Sequence, residues 1–569
     1  MGKIALLRRI LSCILLLSCS AAFAQITIEV DGADEALSNN IRNHIGDVSE
    51  QEQQQPRLLQ RKLDKTVRDA TQALGYYAAD FHYTLTNNTL RISINPGTPT
   101  VWNAPQIEIN GDAATLPEVR KLIDATPFQA EQVIDHSVYE TFKRELLTAC
   151  QENGFLDAYY VDNQLLVDVQ QHTAIAILKI EGGERYRFSV PQFAGSRIDQ
   201  NLLKRLSPIE PGSYYSKAQL TQLQRNLQQS NYFREIDLHT NKLDNHDFAI
   251  AANLTDAPHH QFSVGAGYGT DTGPRAKFRW ERPLVNSQGH KFTTELSVSE
   301  PLQTLTFEYH IPLDKPLEKT LNLTSEWEHK RVQDTVSTVG SVGFFFSEHY
   351  ARKWLANYGA TFYNERYQQG SEPTKLAAYL APNFNITDIV MPEGLDPLSG
   401  HKIWLNILGS TPQLGADISF LRTDVGYKQI FNTFGTQLLI ARAEVGTIAT
   451  SDIELIPASQ RFFTGGDQTV RGYDFESLAT TDASGNLVGG RYLNVGSVEY
   501  SFKVADQWRA ALFTDTGRAY NIESEPWHKS VGIGVRWLSP VGQVRVDIGV
   551  PIDDEVKGFR IHIFIGPPL

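Results

Sequence analysis

The sequence predicts an α+β N-terminal region of three repeated modules followed by an all-β transmembrane barrel of about 16 strands. Three observations predict it. Two landmarks recur with a shared period of about 80 residues before residue 258. From residue 261 onward, short segments alternate apolar and polar residues. The chain also opens with an export signal.

The signal has a basic start (Lys3, Arg8, Arg9), an apolar run from Ile10 to Leu17, and small residues ending at Ala22-Phe23-Ala24. This order predicts a leader over residues 1–24, cleaved after Ala24. A second reading stays open, because Leu16-Leu17-Ser18-Cys19 loosely matches the lipid-attachment pattern at Cys19. Cleavage after Ala24 removes Cys13 and Cys19 and leaves Cys150, so neither an internal disulfide nor a zinc-thiolate site is expected.

Composition narrows the class further. Over 569 residues the hydrophobic content is 41% and the mean hydropathy is -0.30. After the leader no run approaches the roughly 20 apolar residues that a spanning helix needs. A barrel crosses with alternating strands and hides its membrane signal in this way. The net charge of -13 and the pI of 5.6 speak against a nucleic-acid partner, which calls for a basic surface.

The repeat is read from two sets of landmarks. Val30-Asp31-Gly32-Ala33, Ile109-Asn110-Gly111-Asp112 and Phe193-Ala194-Gly195-Ser196 each end a strand on a turn glycine. Leu74-Gly75-Tyr76-Tyr77, Asn153-Gly154-Phe155-Leu156 and Ser230-Asn231-Tyr232-Phe233 each close a helical stretch. Within those stretches Val67, Ala70 and Leu74, then Phe142, Leu146 and Ala149, then Leu220, Leu223 and Leu227 recur at helical spacing. The Gly or Asn that follows suits a left-handed cap. Alternating segments such as Leu90-Arg91-Ile92-Ser93-Ile94 come next. Each unit therefore reads strand, helix, helix, strand, strand, with modules over 25–97, 98–181 and 182–257. Their small sheets leave an open edge on which an extended guest chain can pair, unless the modules are spacers. Tyr76, Tyr77, Phe155 and Tyr232 read as core anchors.

The barrel reading covers 261–569. In Leu305-Thr306-Phe307-Glu308-Tyr309-His310-Ile311 the apolar residues share one face, and Val544-Arg545-Val546-Asp547-Ile548-Gly549-Val550 repeats the scheme. Lipid outside and a wet lumen demand this pattern. A soluble sandwich shows it too, and the export signal favours the membrane. An even strand number puts both barrel ends on the periplasmic side, with the modules in the periplasm of the bacterial outer envelope.

Arg461-Phe462-Phe463-Thr464-Gly465-Gly466 and Val470-Arg471-Gly472-Tyr473 stand in a long loop before Tyr492. Together they resemble the sixth-loop signature of the BamA-related outer-membrane assembly factor superfamily, whose members join POTRA modules to a C-terminal barrel. Gly496-Ser497-Val498-Glu499-Tyr500 and Phe513-Thr514-Asp515-Thr516-Gly517 are similar to its next strand motifs. The resemblance implies that the loop folds back into the barrel, with Arg471, Gly472 and Tyr473 in contact with its wall and Arg471 meeting Glu499 and Asp515 there. Guanidinium chemistry fits that role, since a confined arginine needs charge-assisted partners. The contact would be structural and gating in character.

Three modules rather than five, together with Gly267-Tyr268-Gly269-Thr270-Asp271-Thr272-Gly273-Pro274-Arg275, look like the TamA branch, the outer-membrane subunits of the translocation and assembly module. That resemblance implies insertion of outer-membrane proteins such as autotransporters. It also implies a TamB-like partner anchored in the inner membrane, and a part in envelope phospholipid transport. A two-partner-secretion-type transporter and a passive channel remain the alternatives. One departure concerns the C-terminus, which ends Phe564-Ile565-Gly566-Pro567-Pro568-Leu569 instead of on an aromatic. Two prolines cannot donate to a ladder, so pairing should stop near Ile565, while Gly265 and Gly267 weaken the first strand. These four positions, Gly265, Gly267, Phe564 and Ile565, mark an openable seam.

Enzyme readings fall away. Asp271-Thr272-Gly273 and Asp515-Thr516-Gly517 reproduce the paired triplets of aspartic proteases, yet one opens the barrel and the other belongs to a strand motif. HExxH, GxSxG and Walker patterns are absent from the sequence. His259-His260 reads as a linker, so neither a cofactor nor a metal is expected.

Overall fold

The computed structural model describes residues 27–565, apart from 47, 49–54, 87–88, 271, 351–352, 393–396, 540–541 and 553–557. The leader, with Cys19, and Asp271 lie outside the described residues.

In the first module β1 (Thr27–Asp31) is followed by helices α1 (Glu35–Ile45) and α2 (Pro56–Ala73), then by β2 (Asp80–Thr86) and β3 (Thr89–Asn95). Asp34 starts α1 by accepting the Leu37 amide at 2.8 Å, the ordinary use of an aspartate at a helix start. β3 is the middle strand, parallel to β1 and antiparallel to β2. Leu63 and Val67 of α2 lie fully buried against Leu90 and Ile92 of β3. Each such side chain contributes about 1.5–3 kcal/mol by leaving water.

The second module repeats the plan. It begins with β4 (Val101–Trp102) and β5 (Gln106–Asn110), continues with α3 (Pro117–Asp124) and α4 (His136–Glu152), and ends with β6 (Tyr159–Asp168) and β7 (Thr173–Glu181). β7 is central, with β5 parallel on one side and β6 antiparallel on the other. In the third, β8 (Arg187–Phe188) and β9 (Gln192–Ala194) run parallel to β11 (Asp247–Asp256). Helices α5 (Gln200–Leu206) and α6 (Lys217–Gln229) precede the remaining strand, β10 (Phe233–Lys242). The helices end where the sequence placed their caps, with positive φ at Gly75 (88°), Gly154 (108°) and Asn231 (57°). Phe155 and Tyr232 are buried, and Tyr76 and Tyr77 pack against the cores of the first and second modules.

The described chain falls into two compact units. One comprises residues up to 191 with 209–220 and 240–250; the other comprises 192–208, 221–239 and everything from 251 onward. In the second unit, turns of the third module are bonded to barrel turns. The Asp199 amide donates to Ser287 O at 2.8 Å, Tyr232 Oη to Gly289 O at 2.7 Å and Arg205 Nη1 to Leu313 O at 2.6 Å.

The barrel begins with β12 (Gln261–Gly269), β13 (Gly273–Arg282), β14 (Lys291–Val298), β15 (Leu302–Pro312) and β16 (Lys319–Val332). Next come β17 (Thr335–Tyr350), β18 (Trp354–Gln369), β19 (Lys375–Val390), β20 (Gly400–Ser410), β21 (Phe420–Asn432) and β22 (Leu438–Thr450). It ends with β23 (Tyr492–Ala505), β24 (Trp508–Tyr520), β25 (His528–Ser539), β26 (Gly542–Pro551) and β27 (Arg560–Ile565). These form one 16-stranded antiparallel sheet in sequence order, curled into a near-closed barrel. The outer face exposes Phe262, Phe307, Trp327, Phe344 and Ile533, which only lipid can cover at this density. No helix among the described residues is long and apolar enough to cross a membrane; the crossing is made by strands.

β12 pairs with β13 over nine residues, whereas β27 has six. Among the described residues no ladder joins β12 to β27. The two strands lie beside one another at Gly269, where a Cβ would stand 3.7 Å from Ile563 O.

Candidate functional site

Residues 451–491 connect β22 to β23 and fold into the lumen. Short bridges pair Phe462 with Gly490 and Thr464 with Leu478, giving the loop its own ribbon. Arg461 is the internal brace, donating to Ile456 O, Val488 O and Glu454 O, each at 2.9 Å. The fully buried Glu365 of β18 fixes the loop's base by accepting from Ser459 N at 3.0 Å and Ser459 Oγ at 2.6 Å.

At the tip, Arg471 is buried and surrounded. Its Nε and Nη2 donate to the two oxygens of Asp515 at 2.8 and 2.9 Å, and its own amide adds a third bond to Asp515 at 3.0 Å. Nη1 donates to Glu499 at 2.7 Å and to Asp547 at 3.2 Å. The guanidinium also lies 3.4 Å from the centre of the Phe513 ring. Alternation explains the convergence. Val498 and Leu512 face outward, so Glu499, Phe513 and Asp515 face in, and the register sets Glu499 opposite Phe513 and Ser497 opposite Asp515.

Sequence reasoning missed several participants. Arg536 of β25 bonds Glu499 at 2.8 Å and Asp547 at 2.5 Å, so two guanidinium groups share three carboxylates. Ser497 adds a hydroxyl to Asp515 at 2.5 Å. Asp547 had a visible signal, since Arg545 and Asp547 share the polar face of β26; the depth reached by the loop had none. His562 of β27 was also missed, and its Nε2 accepts the Gly472 amide at 2.9 Å. Tyr473 is buried, and its hydroxyl donates to Lys529 O at 3.2 Å. An ion pair between Arg560 of β27 and Asp474 lies nearby.

The tip thus grips the last two strands. Gly472 has φ of 96°, and a Cβ there would stand 3.2 Å from the Gly549 carbonyl carbon. Of the proposed seam residues, Gly265 and Gly267 lie in β12, while Phe564 and Ile565 end β27, set opposite Arg545 and Val544. Among the described residues no group of His, Cys, Asp or Glu is arranged to hold a metal.

Comparison with known proteins places this architecture. Residues 260–567, more than half of the chain, match the Omp85 superfamily domain. The chain belongs to the Omp85 superfamily. Residues 27–96 match the POTRA domain described as TamA domain 1, and 186–255 match the POTRA surface antigen repeat. Omp85 relatives include the outer membrane protein assembly factor BamA of Neorickettsia risticii, 21% identical over 74% of this chain and 60% of that protein. Another is BamA of Nitratidesulfovibrio vulgaris, 29% identical over 27% of this chain and 20% of that protein. The chain therefore spans three fifths or less of the curated relatives it matches. The crystal structure of Haemophilus ducreyi BamA lacking POTRA domains 1–3 shares the fold, with a TM-score of 0.70 and 13% identity over 82% of this chain and 99% of that one. This Omp85 protein is an outer-membrane β-barrel with its POTRA modules in the periplasm.

Proposed function

We propose that the chain is an assembly factor that helps unfolded outer-membrane proteins insert at the seam between β12 and β27. The observation that carries this reading is the grip of the loop tip on β26 and β27, beside a six-residue last strand. A passive pore needs neither a short last strand nor a loop bound to it. BamA relatives, named for outer-membrane protein assembly, support the class.

Within that class we assign it to the TamA type, acting with a TamB-like periplasm-spanning partner on autotransporter-like clients, with a share in envelope phospholipid transport. The TamA-type first module supports this assignment. The reaction involves no bond chemistry, and the lipid bilayer is a partner in its own right.

The test deletes residues 25–257 in cells, checks barrel insertion by heat-modifiable gel mobility, and follows partner pull-down and client assembly. An inserted barrel that has lost both supports docking modules. Retention of both would make the modules spacers and sink the reading.

A further inference from the structure

Charged residues on the lipid-facing side of β16–β18 mark the two edges of the apolar belt, and the edges differ. β16 is the fifth barrel strand and starts on the same periplasmic side as β12. At that end Lys319 of β16 stands opposite Glu348 of β17 and pairs with it at 2.8 Å, and the Tyr350 hydroxyl donates to Glu348 at 2.9 Å. From Lys319 to His329 the strand climbs ten residues, about 25 Å along the membrane normal at a tilt near 40°, which is the height of a barrel's apolar band. There the register sets His329, Thr338 and Arg366 in one row, and Arg331, Val336 and Gln368 in the next. All six share the parity of Trp327, Val342 and Phe362, which are exposed on the outer face.

The lower edge carries both signs of charge; the upper edge is cationic. Arg331 and Arg366 are exposed. Among the described residues no carboxylate takes the outward parity on the upper halves of β15–β19. Glu328 and Glu365 of the same strands have the inward parity, and Glu365 is held by Ser459. In the adjoining turns Asp334 accepts the Leu487 amide at 2.8 Å and Glu372 pairs with Lys375 at 3.4 Å. His329 is hydrogen-bonded to Thr338 Oγ1 at 2.8 Å, and its ring stacks on Trp327 at the top of the belt.

We propose that Arg331 and Arg366 bind the phosphate group of a lipid in the outer leaflet. Strands two apart in a sheet are about 10 Å apart, and β17 places the short side chains Val336 and Thr338 between these two. Two guanidinium forks can therefore close on one phosphate from either side. Long cationic side chains at the edge of an apolar belt extend toward the headgroups, which brings both forks to the level of the phosphates. The lipid thus supplies at the upper edge the negative charge that Glu348 supplies at the lower one. Because both residues face the bilayer, the fitting anion is a lipid headgroup and not a soluble ion from the lumen. The site rests on the outer-membrane barrel alone and makes no use of the client or partner assignment above.

The test uses purified full-length protein in nonionic detergent, with bound lipid counted by native mass spectrometry as diphosphoryl lipid A or dioleoyl phosphatidic acid is added. The site predicts a saturable adduct that lipid A stripped of its phosphates does not give. Arg331→Gln and Arg366→Gln should each weaken binding about fivefold, and the double variant more. Lys319→Gln, at the lower edge, should bind as the parent does. Heat-modifiable mobility checks that each variant is folded, and two separate arginine variants guard against one that is not. Tighter binding of lipid A marks a phosphorylated glycolipid, and equal binding of the two lipids marks the phosphate alone; either result supports the site. Parent-level affinity in the double variant, an equal adduct with the phosphate-free lipid, or an equal loss in Lys319→Gln would overturn the proposal.

Discussion

Gly472 and Gly549 meet main chain to main chain: a Cβ on Gly549 would stand 2.6 Å from the Gly472 nitrogen and 2.9 Å from the Arg471 carbonyl carbon. The loop tip therefore seats on β26 at a spacing that tolerates no side chain on either strand of the contact. Substituting Gly549→Val should lift the tip, break the Gly472 to His562 bond and expose residues 465–478. Limited proteolysis of the folded barrel reads this as new cleavage within the loop; an unchanged digest would show that the seat is not needed.

Arg471→Ala leaves three carboxylates in a confined site with one guanidinium. Removing one partner of a buried ion cluster costs about 3–5 kcal/mol, so the temperature of the mobility shift should fall well below that of the parent. Arg471→Lys should recover little, since a single ammonium cannot donate side by side to both Asp515 oxygens. Full recovery by lysine would mean that charge alone, and not the fork, holds the loop.

The third module is fixed to the barrel at Gly289, whose φ is 80° and whose added Cβ would fall 2.4 Å from Leu202 Cδ2. Gly289→Val should detach that turn, whereas Tyr232→Phe removes one buried hydrogen bond, worth about 0.5–1.5 kcal/mol. Protease cutting near residues 257–260 should rise strongly in the first variant and slightly in the second.

His136 begins α4 and faces the Tyr77 hydroxyl at 2.7 Å. Burial holds its pKa below the usual 6.5, against the upward pull of Asp135 and Glu140. A depressed folded-state value means that neutral His136 contributes stability in full above about pH 6.5, and that this is lost as pH falls through the lower folded value. Thermal unfolding followed from pH 7.5 to about pH 5 should show a decline that His136→Gln flattens. An identical slope in the variant would assign the decline to other groups.

Much of this was legible because alternation is local. Leu305, Phe307 and Tyr309 against Thr306, Glu308 and His310 already say which face meets lipid, and the parity of Val498 and Tyr500 turns Glu499 inward. Helix periods in the modules are equally local, and so are caps such as Gly154. What stayed hidden depends on distances between strands. Asp547, Arg536 and His562 obey the same parity as dozens of inward residues, and only the depth of the loop selects them. That Lys428 of β21 faces Arg442 of β22, and Arg509 of β24 faces Arg536 of β25, is decided only by the register. The seam shows the same limit, because glycine content marks β12 as weak without saying that its end at Gly269 lies beside Ile563 of β27.

A disulfide across the seam, made with Gly269→Cys and Ile563→Cys in cells, tests client insertion at the β12–β27 edge, with client assembly followed before and after reduction. The locked barrel should still insert and stay heat-modifiable, client assembly should stop, and reductant should restore it. Client assembly at the parent level with the crosslink fully formed would contradict insertion at this seam.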